Sequence, residues 1–368
     1  MSSLALFLPS LLGGGAERVM VELAGGFAER GHRTTLVVAR RTGELSDQVP
    51  ASVDVVDLGV RGTGSAVVPF ARWLRARRPD AVLSAMTHTN VSALLARRLS
   101  RTRVRLVVSE HNAIAERIAR ATGPRQRLMY ALARRLYRSA DAVVGVSEGV
   151  TRELCTSLDL DVAGTRAIYN PVVSERVLRA AEAPVDHPWI DAEVPLVLAV
   201  GRLVPQKGFD TLVRAFARVR AERPARLVIL GEGPERPRLQ ALIGELGLTD
   251  DAGLPGFVPN PHAWMRRASV FACSSVWEGF GVVIAEALAA GCPVVSTDCP
   301  HGPDEILEHG AWGRLVPVGD ADALARGIVQ AIDEGRDAVG DDARRGRASR
   351  FTVDAAVQAY LELLLPST

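Results

Sequence analysis

Eleven short apolar runs constrain this chain more than any other feature. Six lie in the first half, at 4–9 (LALFLP), 34–39 (TTLVVA), 53–58 (VDVVDL), 80–86 (DAVLSAM), 104–109 (VRLVVS) and 141–147 (DAVVGVS). Five follow in the second, at 195–201 (PLVLAVG), 226–231 (RLVILG), 270–275 (VFACSS), 293–298 (PVVSTD) and 314–318 (RLVPV). The runs are rich in β-branched residues, mostly apolar at successive positions, and separated by longer helical patterns. Such runs form strands buried on both faces, which means parallel sheets covered by helices. Two series predict an α/β chain of two Rossmann-like, doubly wound domains, each binding ligands at the carboxyl ends of its strands.

A chain of 368 residues accommodates two such domains. Asn170-Pro171-Val172 breaks the pattern, and PVDHPW at 184–189 reads as a connector. These place a first domain at 1–180 and a second at 181–350, followed by an amphipathic C-terminal helix at about 351–368. No apolar run reaches the roughly 18–20 residues of a membrane span. The N-terminal residues MSSLALFLPS lack a basic leader, and Cys155, Cys273, Cys292 and Cys299 have no metal-ligand spacing. A cytoplasmic protein with reduced cysteines is expected.

Charge is uneven. Residues 1–178 hold 25 arginines and 16 acids, whereas the remainder holds 19 basic residues and 26 acids. The basic half is open to two readings: attraction to anionic membrane or phosphorylated substrate, or a compositional preference for arginine. The segment 114–138, with seven arginines among apolar residues, divides the same way. Nothing in the pattern calls for a nucleic-acid partner.

The densest chemistry lies at 274–307. A strand ends in small residues, a loop carries Gly279, Phe280 and Gly281, and a helical pattern runs from Val282 to about Ala290, closed by Gly291. The loop presents backbone N–H groups at a helix N-terminus, which suits a phosphate or a sugar oxygen. Glu278 precedes the helix and Glu286 lies inside it. Their separation along the helix, about 12 Å, suits opposite ends of one elongated ligand rather than one bond.

Other strand ends carry candidates too. Gly13, Gly14 and Gly15 open the first helix, either for close approach of a phosphate or for a tight turn alone. Their spacing is not that of a dinucleotide fingerprint. Arg202 and Lys207, the only lysine in the chain, follow the first run of the second half. Cations there would stabilise charge growing on a departing phosphate. His111 and Asn112 follow one run, in SEHN, and His88 follows another, in AMTHTN. Asp159 and Asp161 form a D-x-D triplet with no strand before it, which reads as a solvated loop.

The block WEGFGVVIAEALAAGCPVVSTD, with GPDEIL downstream, resembles the signature of the retaining GT-B glycosyltransferases of the family 4 type. The resemblance implies two Rossmann-like domains facing a central cleft, with the last helix returning to the first domain. It places Arg202 and Lys207 on the donor diphosphate and the loop around Val258 on the nucleobase. Glu286 would meet the ribose hydroxyls. Glu278 would meet the sugar, with the 279–281 backbone and Val282 nearby. Gly14 and Gly15 would lie near the donor phosphates, and Gly13, His88 and Asn112 near donor or acceptor. His111 would stand close to the reacting sugar.

The resulting expectation is a hexosyltransferase that uses no metal and no cofactor. Its donor would be a nucleotide-sugar, with UDP favoured, and its acceptor a lipid-linked or cell-surface glycan precursor, or a small metabolite. Two other readings stand beside it: a nucleotide-sugar epimerase of the same architecture, and a non-catalytic nucleotide-sugar-binding protein. The former would need acid and base groups placed on the sugar.

Overall fold

The computed structural model describes residues 1–190, 193–336 and 340–366, and the chain divides into two units. The first comprises Met1–Pro171 together with the C-terminal segment from Val353, and the second comprises Val172–Thr352.

The first unit is built on seven parallel strands: β1 (Ser3–Leu8), β2 (Arg33–Val38), β3 (Asp54–Asp57), β4 (Ala81–Ala85), β5 (Arg105–Glu110), β6 (Ala142–Gly145) and β7 (Thr165–Ala167). Their order is β3-β2-β1-β4-β5-β6-β7, so the winding reverses between β1 and β4. Both faces are buried, as the uninterrupted apolar runs require. Ala5 and Phe7 of β1 join one core with Phe70 and Leu106, while Leu4, Leu6 and Leu8 point into another with Phe27 and Tyr360.

The helix Val353–Leu364 packs on the helix Gly15–Glu29 of this unit. A Cβ at Gly26 would stand 2.5 Å from Val357, so glycine there permits the close approach. Arg30 pairs with Asp354 at 2.7 Å, and the Arg105 guanidinium donates to the Leu363 carbonyl.

The second unit carries β8 (Leu196–Val200), β9 (Arg226–Leu230), β10 (Ala252–Gly256), β11 (Val270–Cys273), β12 (Val294–Thr297) and β13 (Arg314–Val316). All neighbours are parallel, in the order β10-β9-β8-β11-β12-β13, with the reversal between β8 and β11. Burial keeps Cys292 a thiol by pushing its pKa up to about 11, and all four cysteines are free.

Three features differ from the expectation. The units part at Pro171/Val172 rather than near residue 180, because the helix Glu175–Ala181 belongs with the second unit. It is tied there by Asn260, whose side-chain amide donates to the Ala180 carbonyl at 2.7 Å. Two strands, β7 and β10, have no counterpart among the apolar runs. Both are edge strands, and β10 holds two glycines and Pro255, which an edge tolerates. The basic segment 114–138 is two helices, Ile114–Ala119 and Pro124–Leu136, rather than one stretch. No helix among the described residues is long and apolar enough to cross a membrane.

Candidate active site

In the second unit, three loops at the carboxyl ends of neighbouring strands are knitted together. After β8 the chain forms a short turn, Pro205–Lys207, and Gly208 follows in the left-handed region at φ 57°. A Cβ on Gly208 would lie 2.3 Å from the Ser274 carbonyl oxygen, so only glycine lets these loops cross. Ser274 donates to the Lys207 carbonyl at 2.8 Å, and Gln206 donates through its amide to the Trp277 carbonyl at 2.9 Å. The third loop is held by Glu278, whose N–H donates to Pro300 at 2.6 Å and whose carbonyl accepts from the His301 N–H at 3.0 Å.

This scaffold brings Lys207 Nζ within 2.5 Å of Glu278 Oε1, with side chains 18% and 9% exposed. Ser275 Oγ donates to the same carboxylate oxygen at 2.7 Å, and Thr297 Oγ1 fixes Ser275 through its carbonyl at 2.6 Å. Burial pulls the Lys207 ammonium down, but the adjoining Glu278 carboxylate outweighs it and the pKa stands above the ordinary lysine value. Lys207 is therefore charged at neutral pH, and Glu278 already balances that charge. Arg202, by contrast, is exposed and has no acid partner among the described residues.

Gly281, at φ 89°, caps the helix Val282–Ala289, as the glycine loop suggests. Gly279 and Phe280 are buried beneath it. Gly302 crosses Phe280 so closely that a Cβ would lie 1.9 Å from its carbonyl oxygen. Glu286 lies on this helix at 6% exposure. Its carboxylate has no hydrogen bond or ion pair among the described residues. The carboxylate oxygens still reach solvent, so they are free to accept from an incoming hydroxyl. Val258 stands half-buried in the loop after β10, next to an exposed Phe257.

The turn at 231–234, after β9, shapes the same region. Gly231 and Gly233 cross the backbone of 201–203, with added Cβ atoms falling 2.0 Å from the Gly201 oxygen and 2.4 Å from the Leu203 oxygen. The sequence signal for it is the pair of glycines, Gly231 and Gly233, directly after a strand.

In the first unit, Gly13 adopts φ 95°, Gly14 caps the first helix in extended conformation, and Gly15 begins it. A Cβ on Gly15 would meet nothing within 4 Å. His88 is exposed in the first turn of the helix Thr87–Ser100, where desolvation on its inner side and then the Arg117 guanidinium hold its pKa below the ordinary histidine value. His111 follows β5 half-buried. Burial lowers its pKa to about 4, so the imidazole is neutral at pH 7. Its Nε2 lies 3.0 Å from Ser109 Oγ, and its Nδ1 is buried without a partner. Asn112 is half-buried beside it. Asp159 takes a hydrogen bond from Arg138, and Asp161 caps the turn Val162–Gly164, so both serve local structure.

The residue missed by sequence reasoning is Glu110, the last residue of β5. It is 2% exposed and accepts from Thr87 Oγ1 at 3.0 Å, from Asn90 Nδ2 at 3.2 Å and from the Tyr137 hydroxyl. Burial, only partly opposed by these donors, pushes its pKa up to about 7.

A Rossmann-like unit with a glycine-opened helix, and a second holding a lysine–carboxylate pair before a glycine-capped helix, give the two-domain α/β architecture of the GT-B fold. The sequence matches the family "Glycosyltransferase Family 4" over residues 13–176 and "Glycosyl transferases group 1" over residues 187–346. It is 30% identical over 358 residues to the lipopolysaccharide core biosynthesis glycosyltransferase LpsE of Rhizobium meliloti, covering 95% of this chain and 96% of that one. It is 33% identical over 199 residues to an N-acetylgalactosamine-N,N'-diacetylbacillosaminyl-diphospho-undecaprenol 4-alpha-N-acetylgalactosaminyltransferase of Campylobacter jejuni, covering 54% and 53% of the two chains. The fold is similar to that of HepE of Anabaena in complex with UDP-glucose, with TM-score 0.81, 22% identity and 99% of each chain covered. The chain belongs to the family 4 glycosyltransferases of GT-B fold.

Proposed function

We propose that this protein transfers a hexose or N-acetylhexosamine, with retention, from a UDP-linked donor to a hydroxyl of a lipid-linked or cell-surface glycan precursor. The observation that carries the reading is Glu286, a largely enclosed residue whose carboxylate has no protein donor, on the helix that the Lys207–Glu278 pair precedes. A ribose diol supplies the two donors such a carboxylate lacks. The relatives support the biology: one is a lipopolysaccharide core biosynthesis enzyme, and the other is named for a diphospho-undecaprenol-linked sugar. The complex of HepE with UDP-glucose supports the donor class.

In the reaction, the bond from the anomeric carbon to the phosphate oxygen breaks and its electron pair stays on the diphosphate. The acceptor oxygen bonds to the anomeric carbon on the same face, and its proton passes to the departing phosphate oxygen. Arg202, Lys207 and the N–H groups at the start of the helix Val282–Ala289 carry the growing negative charge without a metal. Because Glu278 already balances Lys207, Arg202 supplies the uncompensated cation. Glu278 keeps one oxygen for a sugar hydroxyl, and Val258 lies with the nucleobase. The second unit holds the donor. In the first, Gly13, Gly14, Gly15, His88, His111 and Asn112 serve sugar and acceptor. A neutral His111 suits a developing oxocarbenium ion, which an imidazolium would repel. The basic surface of the first unit favours an acceptor presented at an anionic membrane.

Calorimetry with UDP, GDP and ADP in EDTA tests this. Selective UDP binding that Glu286→Ala weakens is the expected result. Selective GDP or ADP binding would keep the transferase and replace the nucleotide, and no binding of any of the three would defeat the donor site.

A further inference from the structure

Glu110 has a setting that no part of the proposed transfer step uses. Three donors from two separate elements converge on one buried carboxylate. Thr87 and Asn90 stand in the first turn of the helix Thr87–Ser100, and Tyr137 begins the turn after the helix Pro124–Leu136. Asn90 Nδ2 also reaches the Ser109 carbonyl at 2.8 Å and the Tyr137 hydroxyl at 2.9 Å. The ends of β4 and β5 are thereby joined through side chains. His88 lies between Thr87 and Asn90 in the sequence, and His111 is the residue after Glu110. Both histidines hang from the same latch.

Joining two strand ends does not require a carboxylate. A neutral amide makes comparable bonds at far lower desolvation cost, so a buried acid here points to a use for its charge. The ionised form accepts from all three donors at once. The protonated form must find an acceptor for its own proton among the hydroxyls that now point at it, and so gives up at least one of those bonds. We propose that Glu110 is a positioning residue, whose ionised carboxylate draws Thr87, Asn90 and Tyr137 together and sets where His88 and His111 stand, and whose protonation slackens that arrangement. The other charged or titratable groups facing this cluster are Arg117 of the helix Ile114–Ala119, which favours the ionised form, and Tyr130, which faces Tyr137. The Glu110 pKa of about 7 places the change at neutral pH. The inference rests on His88 and His111 belonging to the transfer site, but its test needs no donor or acceptor, so the two can fail separately.

The test follows the ring C–H signals of His88 and His111 against pH by NMR. The full chain is labelled at histidine, and signals are assigned with His88→Gln and His111→Gln. The His111 imidazole is lowered to about 4, so an inflection near pH 7 in its signals reports a neighbour; for His88 the report is the part of its titration that Glu110→Gln removes. The expected result is such an inflection in the His111 signal and a matching part in that of His88, both lost in Glu110→Gln. In Tyr137→Phe, which removes one donor to the ionised form at little change in volume, it moves up by roughly one to two pH units. Should Glu110→Gln fail to fold, Tyr137→Phe and Thr87→Val carry the test, each with an upward shift expected. A His111 signal without an inflection between pH 6 and 8 overturns the proposal, as does a His111 inflection that survives Glu110→Gln or stays in place in Tyr137→Phe.

Discussion

Glu278 and Glu286 are both buried in the second unit, within one loop-and-helix segment, yet their surroundings differ in kind. Glu278 is anchored by the protein: Lys207 and Ser275 share one of its oxygens, and its backbone is pinned to 300–301. Glu286 has no such partner among the described residues. The first arrangement holds a charge pair in place before any ligand arrives. The second leaves a carboxylate open to accept from a ligand. Scaffold and binding group can therefore be told apart by what each side chain lacks, and substitution should separate them.

The largest effect is expected at Lys207. Lys207→Met keeps the stem but leaves Glu278 buried and uncompensated, which should cost about 3 kcal/mol and lower turnover at least ~100-fold. Adding Glu278→Gln should restore most of the stability and none of the turnover, since both members of the pair are then neutral. Chemical denaturation of the single and double variants checks the first part. A single variant as stable as the parent would show that the pair does not hold the loops.

Glu286→Gln should do the opposite. Removing a charge that no protein group pairs leaves stability unchanged, while UDP affinity falls ~10-fold or more. Calorimetry and thermal unfolding on one preparation decide this. A loss of stability matching that of Lys207→Met would place Glu286 in the scaffold and erase the contrast.

Local pattern made much of this legible. The glycine-aromatic-glycine loop and the apolar residues after it mark where the helix Val282–Ala289 begins, and the apolar runs locate eleven of the thirteen labelled strands. What stayed hidden depends on contacts between distant residues. The pairing of Lys207 with Glu278 spans 71 positions, and the bond from Tyr137 to Glu110 spans 27. No periodicity encodes such meetings. SEHN drew attention to its histidine because a strand-end histidine is a familiar reagent, and the glutamate before it reads as a strand terminus. Only burial and three converging donors reveal otherwise.

Glu110 and His111 carry the comparison into the first unit, where adjacent residues are shifted in opposite directions. Glu110 is raised from 4.5 to about 7, so the folded chain holds a proton that the unfolded chain has released; that stability is full below 4.5 and is lost as pH rises through 7. His111 is lowered from 6.5 to about 4, so its contribution is full above 6.5 and is lost as pH falls through 4. Between pH 5 and 7 each term changes by about 2 kcal/mol, with opposite sign. Glu110→Gln removes the falling term alone. Relative to the parent, the variant should therefore be about 2 kcal/mol better placed at pH 7 than at pH 5, read from denaturation at the two values. An unchanged difference would return Glu110 to an ordinary carboxylate.

The smallest effect is expected at the glycine turn, where protein requirement and ligand requirement again part company. Gly13 needs its positive φ of 95°, and Gly13→Ala should cost about 1 kcal/mol from backbone strain alone. Gly15 has open space where a Cβ would stand and begins a helix, so Gly15→Ala should be neutral or stabilising by up to about 1 kcal/mol. If the turn serves only to connect β1 to its helix, Gly15→Ala is silent in every assay. If a phosphate or sugar approaches that backbone, the added methyl meets ligand rather than protein. Turnover should then fall several-fold while the melting temperature holds or rises. A drop in both would mean that the open space is filled by the folded chain itself, and Gly15 would join Gly13 as a conformational glycine.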